Sequence, residues 1–486
     1  MSEVKKGKSL DELNKAVKVA KIEHSGEKMI LPEGMDLDDA IDLLRRRKAY
    51  LQEEVIVRET VPVFPWDGAH ALSRLLTKKY GWAPAVPIPG FFGDKPPEMK
   101  SIEIAFGVVE QVPWGRFELP GISGFIQTDA KSEDGQLLFE IIAKVKRDDE
   151  RVVRELFAEL REYAVANSIY RGKALSIQFF NTDGEKLDIP VVKFMDTNVD
   201  ETKLVYSQDV TNAIETNLFT PITRLDDCKL NGVPTKRGVL LGGVYGTGKT
   251  LAAKVAAKLA VQVGVTFLYT KAANELVHAI TFGRLYEKPA VVIFCEDIDR
   301  VTDGTRSAAM DDILNTIDGI DSKNSNVIVV LTTNNMEGIN QAMLRPGRLD
   351  AVINVTPPDA EAVQRLLRVY GGDAIAANED LTRAGEVMAG NIPAVIAEVV
   401  QRAKLAQLRR TPRGERVTGL TGDALAEAAT TMAAQLDLLK PKDKNDTPTI
   451  DGILRSLTQG VVGAETKNLV KGTKSDTKAL RDRLGV

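Results

Sequence analysis

The spacing of apolar residues divides the chain into two parts. From about residue 205 onward, short apolar runs alternate with stretches of helical spacing, and the runs are "GVLLGG", "VTFLYT", "AVVIFC", "NVIVVLTTN" and "AVINVTP". Such runs are typical of strands buried on both faces, and their alternation with helices predicts a parallel sheet covered by helices. We therefore predict an α/β domain over residues 205–357 and a small, mainly helical segment over 358–440.

The first 200 residues lack this regular alternation and predict an α+β domain. Helical spacing and alternating patterns predict helices at 35–54 and 149–168, and strands within 124–147, 174–180 and 190–196. Pro, Gly and aromatic residues are frequent between about 55 and 125, which favours loops and short strands. Residues 196–203 are predicted to be a linker between this domain, 1–200, and the α/β domain.

The two ends of the chain have a polar composition. Residues 1–30 are rich in charge and are expected to form a mobile arm or a short helix. Residues 441–486 are rich in Lys, Thr and Gly and are expected to form a flexible tail with at most one weak helix near 452–459. Neither segment is expected to contribute to a packed core.

Composition narrows the class of protein. The chain has 486 residues, enough for two or three domains, and its formal net charge of −4 provides no basic field for nucleic acid. Its sequence contains no apolar run of bilayer-spanning length, and its start lacks the apolar core of a signal peptide. The two cysteines, Cys228 and Cys295, are far apart and form no CxxC pair. We therefore expect a cytoplasmic protein without a disulfide framework, a zinc site or a membrane partner.

The segment "GGVYGTGKT" at 242–250 has the spacing of a phosphate-binding loop, or P-loop. It follows an apolar strand and precedes a helix, so its backbone N–H groups and the helix N-terminus would point at a phosphate. We expect Lys249 to reach the β and γ phosphates of ATP and the Thr250 hydroxyl to coordinate Mg²⁺. The predicted nucleotide-binding residues are Gly243, Gly246, Thr247, Gly248, Lys249, Thr250 and Leu251.

A second apolar strand, in "VVIFCEDIDR" at 291–300, ends in Glu296 and Asp297. Parallel strands bring their carboxyl ends to one edge of a sheet, so these acids are expected beside the P-loop. One carboxylate, Glu296, would hold Mg²⁺ through water, and the other, Asp297, would polarise the attacking water. P-loop ATPases usually carry Asp before Glu here, so the order is exchanged. Taken alone, the segment is equally compatible with a strand end that faces solvent.

Two further segments supply candidate residues. "VIVVLTTNN" at 327–335 ends in Asn334, whose amide could orient the attacking water, although a capping role would explain it as well. "QAMLRPGRLD" at 341–350 carries Arg345 and Arg348 around a Pro-Gly turn. These arginines either pair with local acids or act on a neighbouring subunit's nucleotide as arginine fingers.

In order and spacing, these motifs, together with "DDILNTIDGID", resemble the AAA family of ring ATPases over residues 205–435. In particular, the Glu-Asp order and "TTN" resemble the branch that contains the mitochondrial AAA chaperone of the Rieske protein. The resemblance implies an α/β P-loop nucleotide-binding domain with a C-terminal helical lid that includes 390–407. It also implies ATP hydrolysis with ATP and Mg²⁺, a homohexameric ring, and a protein partner that the ring remodels or moves.

Two departures from that family leave the activity on a partner open. The chaperone branch has an N-terminal transmembrane segment, and the present sequence has no matching apolar run. The interval 271–290 is short and lacks an aromatic-hydrophobic-Gly pore loop, while His278, Phe282 and Tyr286 have helical spacing that favours ordinary packing. A DNA-directed motor or loader, and a nucleotide-gated scaffold with little turnover, remain as alternatives.

Overall fold

A computed structural model describes residues 36–90, 93–298, 326–336 and 349–438. These residues form two structural units. The N-terminal unit contains the described residues up to Ser168 except 103–109, and the C-terminal unit contains 103–109 and the described residues from Ile169 onward. The predicted arm at 1–30 and the predicted tail at 441–486 lie outside the described residues.

The N-terminal unit is built on a five-stranded antiparallel sheet. Among its described residues, the helices are α1 (Leu37–Leu51), α2 (Pro65–Tyr80) and α3 (Glu150–Ala166). The strands in this region are β1 (Glu54–Val61), β2 (Ala85–Val86), β3 (Glu98–Ala105), β4 (Val108–Trp114), β5 (Arg116–Phe117), β6 (Gly124–Glu133) and β7 (Gln136–Lys146). The sheet has the order β1-β7-β6-β5-β2, and β3 pairs with β4 separately. The unit thus contains both helices and strands, and β6 and β7 pair as the antiparallel hairpin predicted within 124–147.

Helix α2 contradicts the prediction of loops and short strands between 55 and 125. Its Pro65 lies in the first helical turn, where a missing N–H does no harm. From there Leu72, Leu75 and Leu76 are fully buried on one side of the helix. Pro and Gly usually interrupt a helix, but a proline in the first helical turn is compatible with a helix start.

The C-terminal unit contains the remaining strands and helices. Its strands are β8 (Ala174–Phe180), β9 (Lys186–Phe194), β10 (Arg237–Gly242), β11 (Thr266–Thr270), β12 (Val291–Cys295), β13 (Val327–Thr333) and β14 (Ala351–Asn354). The helices up to β14 are α4 (Gln208–Ile214), α5 (Thr220–Thr223), α6 (Leu225–Leu230), α7 (Lys249–Gln262) and α8 (Leu276–Gly283). After β14 come α9 (Ala360–Gly371), α10 (Thr382–Met388), α11 (Pro393–Leu408) and α12 (Gly422–Leu438).

The seven strands form one sheet in the order β14-β10-β13-β12-β11-β8-β9. All neighbours are parallel except β8 and β9, and β12 lies between β11 and β13. All five apolar runs of the sequence are strands of this sheet, which confirms the predicted α/β architecture. Helix α7 buries a face of small residues, among them Ala252, Ala253 and Ala256, against the sheet. Small side chains bring the helix, and the loop before it, close to the strand ends.

Strands β8 and β9 change the predicted domain boundary. They lie within the segment assigned to an N-terminal domain of 200 residues, yet β8 pairs with β11 in the sheet of the C-terminal unit. The units therefore divide at Ser168 and Ile169, ahead of the predicted linker. The boundary was not predictable from local sequence because it depends on a contact between distant segments. Ala174 in β8 pairs with Phe267 in β11, and no local sequence pattern indicates this pairing.

Helices α9 to α12 pack around a second apolar core in the C-terminal unit. Its fully buried residues include Leu367, Ile396 and Leu425. The prediction of a mainly helical segment after 358 is confirmed. Among the helices that the structure describes, none combines the length and apolar character needed to cross a bilayer.

Candidate functional site

The loop between β10 and α7 lies at the carboxyl edge of the sheet. Gly243 approaches β14 so closely that an added Cβ would lie 2.3 Å from the carbonyl oxygen of Val355. Gly248 precedes the helix with a φ of +99°, a conformation that favours glycine. These two positions let the chain turn tightly into α7, and the N-terminus of a helix is a favourable place for a bound anion.

Lys249 is buried at the start of α7 and its ammonium group is held inside the loop. Its Nζ donates to the carbonyl oxygens of Gly243 (2.5 Å) and Val244 (3.1 Å) and to Oδ1 of Asn334 (2.9 Å). A buried charge of this kind needs several acceptors. The contacts place one positive charge between the loop and the end of β13, where an anionic phosphate group would be attracted.

The other predicted loop residues occupy distinct places. Thr247 is buried and donates its hydroxyl to the carbonyl oxygen of Val244 (2.9 Å), which stabilises the turn. Gly246 is exposed on the loop, and an added Cβ there would lie 3.1 Å from Cδ1 of Ile392, just before α11. Leu251 lies half-buried in the first turn of α7. Ile392, the residue before α11, therefore lies beside the P-loop.

Glu296 follows β12 directly and uses both carboxylate oxygens. Its Oε1 accepts from the Thr250 hydroxyl (2.5 Å), and its Oε2 accepts from the Tyr269 hydroxyl (2.5 Å). Burial raises the pKa of Tyr269 far above its ordinary value, and the hydrogen bond and negative charge of Glu296 raise this pKa further. Tyr269 therefore remains a protonated donor at neutral pH. We call Thr250, Tyr269 and Glu296 the hydroxyl cluster.

Asp297 has different partners from its neighbour Glu296. Its backbone N–H donates to Oγ1 of Thr332 (3.0 Å), and its Oδ1 accepts from Nδ2 of Asn334 (2.7 Å). Its φ of +47° lies in the left-handed region, which Asp tolerates better than most residues. Since Asn334 also accepts from Lys249, a chain of hydrogen bonds runs from the ammonium group to the carboxylate. We call Lys249, Asn334 and Asp297 the amide cluster.

The structure therefore brings the P-loop, both acids and Asn334 to one sheet edge, as their positions after parallel strands predicted. Arg345 and Arg348 lie outside the described residues. Tyr269 was missed by sequence reasoning, although its place near the end of the strand beside β12 was a usable signal. Tyr206 was also missed: its hydroxyl donates to the carbonyl oxygen of Gly248 (2.9 Å), and no sequence pattern links the two.

The oxygen donors of the hydroxyl cluster suit Mg²⁺. A hydroxyl and a carboxylate are hard ligands, and Mg²⁺ in phosphate-handling sites is usually held by one or two carboxylates, waters and the substrate phosphates. Among the described residues, no group of three or more His, Cys, Asp and Glu side chains could hold a metal on its own. The residues present therefore fit a cation bound together with a nucleotide, at Thr250 and Glu296, better than an all-protein metal site.

The Phe and Tyr side chains of the interval 271–290 do not face solvent. Phe282 and Tyr286 are buried, and their rings contact each other with centroids 5.4 Å apart. His278 packs against Phe179 and Phe180, with centroids at 5.4 and 5.6 Å, and burial lowers its pKa. The prediction that these residues pack within the fold is confirmed.

Residues 239–357 match the family model described as "ATPase family associated with various cellular activities (AAA)". Similar proteins include the "ATPase family gene 2 protein" of Schizosaccharomyces pombe, 29% identical over 213 residues that cover 41% of this chain and 26% of the relative. The "Proteasome-associated ATPase" of Streptosporangium roseum is 34% identical over 197 residues, 34% of this chain and 33% of the relative.

A third similar protein is the "Probable 26S proteasome regulatory subunit 4" of Caenorhabditis elegans. It is 29% identical over 216 residues, which cover 39% of this chain and 47% of the relative. The chain thus spans less than half the length of each of these three relatives. The similarity therefore concerns an ATPase domain and not a complete shared architecture.

Proposed function

We propose that this chain, whose residues 239–357 match the AAA ATPase family model, hydrolyses ATP and uses the energy to remodel or move a protein partner. The observation that carries the proposal is the arrangement of two carboxylates in separate hydrogen-bond clusters beside a P-loop lysine. A nucleotide-binding domain without turnover would need the lysine and the loop but not both acids.

The first step is binding of the phosphates and the metal. The loop N–H groups and Lys249 would hold the β and γ phosphates, because the ammonium group and the helix N-terminus both favour negative charge there. Thr250 and Glu296 would hold Mg²⁺, directly and through water. Bound there, Mg²⁺ would neutralise charge on the phosphate oxygens. Within the chain, the hydroxyl cluster keeps the Glu296 carboxylate next to Thr250, which supports this assignment.

The second step is activation of water by Asp297. Its carboxylate would accept a proton from the attacking water, and Asn334, already 2.7 Å from Oδ1, would fix the carboxylate and the water together. Asp is about one methylene shorter than the Glu usually found here, so the water must be held closer to the strand end. The exchange of acids is therefore compatible with an active enzyme, and we expect slow turnover.

The remaining proposals concern assembly and partner. Two relatives carry names that connect them with the proteasome, which supports a protein as the object of this ATPase. We place the nucleotide between subunits of a homohexameric ring, with Arg345 and Arg348 acting across the interface and α9 to α12 serving as the lid. The exchanged acids and "TTN" support a place in the branch of the Rieske protein's chaperone, and the N-terminal unit would select the partner.

The test is multiple-turnover phosphate release by the full chain with Mg²⁺ and ATP. We expect many turnovers per chain, a loss of about 10²-fold or more in Lys249→Ala together with weakened ATP binding, and no change in Lys254→Ala. Lys254 is the matched control because it lies exposed on the same helix, α7. DNA at low and high salt is added in parallel. Phosphate release limited to one turnover would favour a scaffold, and salt-sensitive stimulation by DNA would favour a DNA-directed motor.

A further inference from the structure

We infer that Tyr269 is a positioning residue that holds the Glu296 carboxylate in the arrangement that binds Mg²⁺; this inference rests on the proposed function. The Tyr269 hydroxyl donates to Oε2 of Glu296 at 2.5 Å. Oε1 accepts from Thr250 at the same distance. The carboxylate is therefore held from both sides, by one hydroxyl from α7 and one from β11.

The exchanged order of the acids explains why such a residue is needed. A Glu side chain has one more rotatable bond than Asp, so a carboxylate on Glu296 can occupy more positions and loses more conformational freedom when it is fixed. Hydrogen bonds to a charged group are among the strong ones and have defined geometry. The Tyr269 hydroxyl removes the added freedom and directs Oε1 toward Thr250.

Tyr269 is itself held in place by the sheet. It lies directly opposite Phe294 in the parallel pairing of β11 and β12. The two rings are stacked, with centroids 6.3 Å apart and planes at 15°. A phenylalanine at 269 would keep this packing and lose the hydroxyl alone. Tyr269→Phe therefore separates hydrogen bonding from ring packing.

The length of the Glu296 side chain matches the distance to the Tyr269 hydroxyl. Glu296 spans from the end of β12 to hydroxyls on two other elements, and an aspartate at 296 would fall about one methylene short of meeting both. The Tyr269 hydroxyl can therefore contribute only when residue 296 is glutamate. This dependence distinguishes a positioning role from a general contribution of Tyr269 to stability.

The first experiment measures Mg²⁺-dependent binding of a fluorescent ATP analogue to the full chain. All proteins carry Asp297→Asn so that binding is read without hydrolysis. We expect Tyr269→Phe to raise the Mg²⁺ concentration for half-maximal binding about tenfold, as is usual when a partner of a metal ligand is removed. Binding without Mg²⁺ should change less than about twofold. Tyr163→Phe, a partly buried tyrosine on α3 of the N-terminal unit, is the matched control and should change neither quantity.

The second experiment repeats the measurement in a Glu296→Asp background. We expect the effect of Tyr269→Phe to shrink there to less than about twofold, since the two residues act as one unit. The same pair of variants with Asp297 intact should show the same coupling in kcat. An unchanged Mg²⁺ requirement in Tyr269→Phe, or an equal effect in both backgrounds, would overturn the inference. An inactive wild-type chain with an intact Mg²⁺ shift would instead overturn the proposed hydrolysis.

Discussion

Glu296 and Asp297 are adjacent in sequence, yet the hydroxyl cluster and the amide cluster to which they belong differ in composition. Within the part of the chain that the structure describes, the Glu296 carboxylate accepts from two O–H donors, Thr250 and Tyr269, which suits a carboxylate that shares its surroundings with a hydrated cation. Asp297 accepts from the Asn334 amide, which is bound in turn to the buried ammonium group of Lys249. The role that we propose for each acid therefore rests on its hydrogen-bond partners rather than on its order in the chain.

The two clusters would respond to different parts of a bound nucleotide and its metal. The amide cluster is linked to the P-loop through Lys249, so a γ-phosphate that attracts the ammonium group would also shift Asn334 and Asp297. The hydroxyl cluster is linked to the first turn of α7 through Thr250 and would respond to the metal. The site would therefore contact the γ-phosphate through the amide cluster and the cation through the hydroxyl cluster.

The largest predicted effect tests whether the hydroxyl cluster and the amide cluster are sufficient for ATP hydrolysis without a residue from a neighbouring subunit. Together they supply one ammonium group, and we propose that a neighbouring subunit adds an arginine. Arg348→Ala should lower kcat by about 10³-fold with ATP binding retained. Mixing Arg348→Ala chains with Lys249→Ala chains should restore activity, because some interfaces then combine an intact P-loop with an intact arginine.

The control for that experiment is a mixture of Arg348→Ala with wild-type chains, which confirms that subunits exchange. If mixed rings form and activity does not recover at any ratio, Arg348 acts within its own chain. The two clusters would then be completed from the same subunit.

The second-largest predicted effect distinguishes the function of Asp297 from that of Glu296. Asp297→Asn preserves the hydrogen bond to Asn334 and removes the charge, so turnover should fall about 10²-fold or more while ATP and Mg²⁺ bind as before. Glu296→Gln should instead raise the Mg²⁺ requirement. Phosphate release and Mg²⁺ titration on both variants check this. Equal behaviour of the two variants would show that the clusters are not functionally distinct.

Much of this site follows from sequence because parallel strands end at a common edge. Apolar runs located β10, β12 and β13, and the residues after each run are the P-loop, the two acids and Asn334. Strand direction and the residues that follow each strand are enough to predict this part of the site, and the details of side-chain packing are not needed.

The parts that were missed depend on contacts between distant segments. The pairing of β8 with β11 joins residues far apart in the chain, and the hydrogen bond from Tyr206 to the P-loop has the same character. Tyr269 was missed for a smaller reason: a tyrosine within an apolar strand is ordinarily a core residue. Only the register with β12 brings its hydroxyl to Glu296.

The smallest predicted effect comes from restoring the usual order of acids with Glu296→Asp and Asp297→Glu together. Asp at 296 would lose the Tyr269 contact, and Glu at 297 would extend past Asn334. The backbone adds a further cost, because position 297 has a φ of +47°, which Asp adopts more readily than Glu. A left-handed residue without a favourable side chain costs about 1–2 kcal/mol.

We expect the exchanged double variant to turn over ATP about tenfold more slowly than the wild type, because Asp at 296 and Glu at 297 would misplace both carboxylates and about 1.4 kcal/mol in the barrier is tenfold in rate. The backbone cost at 297 lowers the stability of the fold and does not enter this barrier. The thermal midpoint of the double variant should therefore also be lower. The single variants are the controls, and the double variant should be no faster than the slower of them. Turnover at or above the wild-type rate would mean that the backbone and Tyr269 do not select the order Glu-Asp, and that the two clusters tolerate either acid.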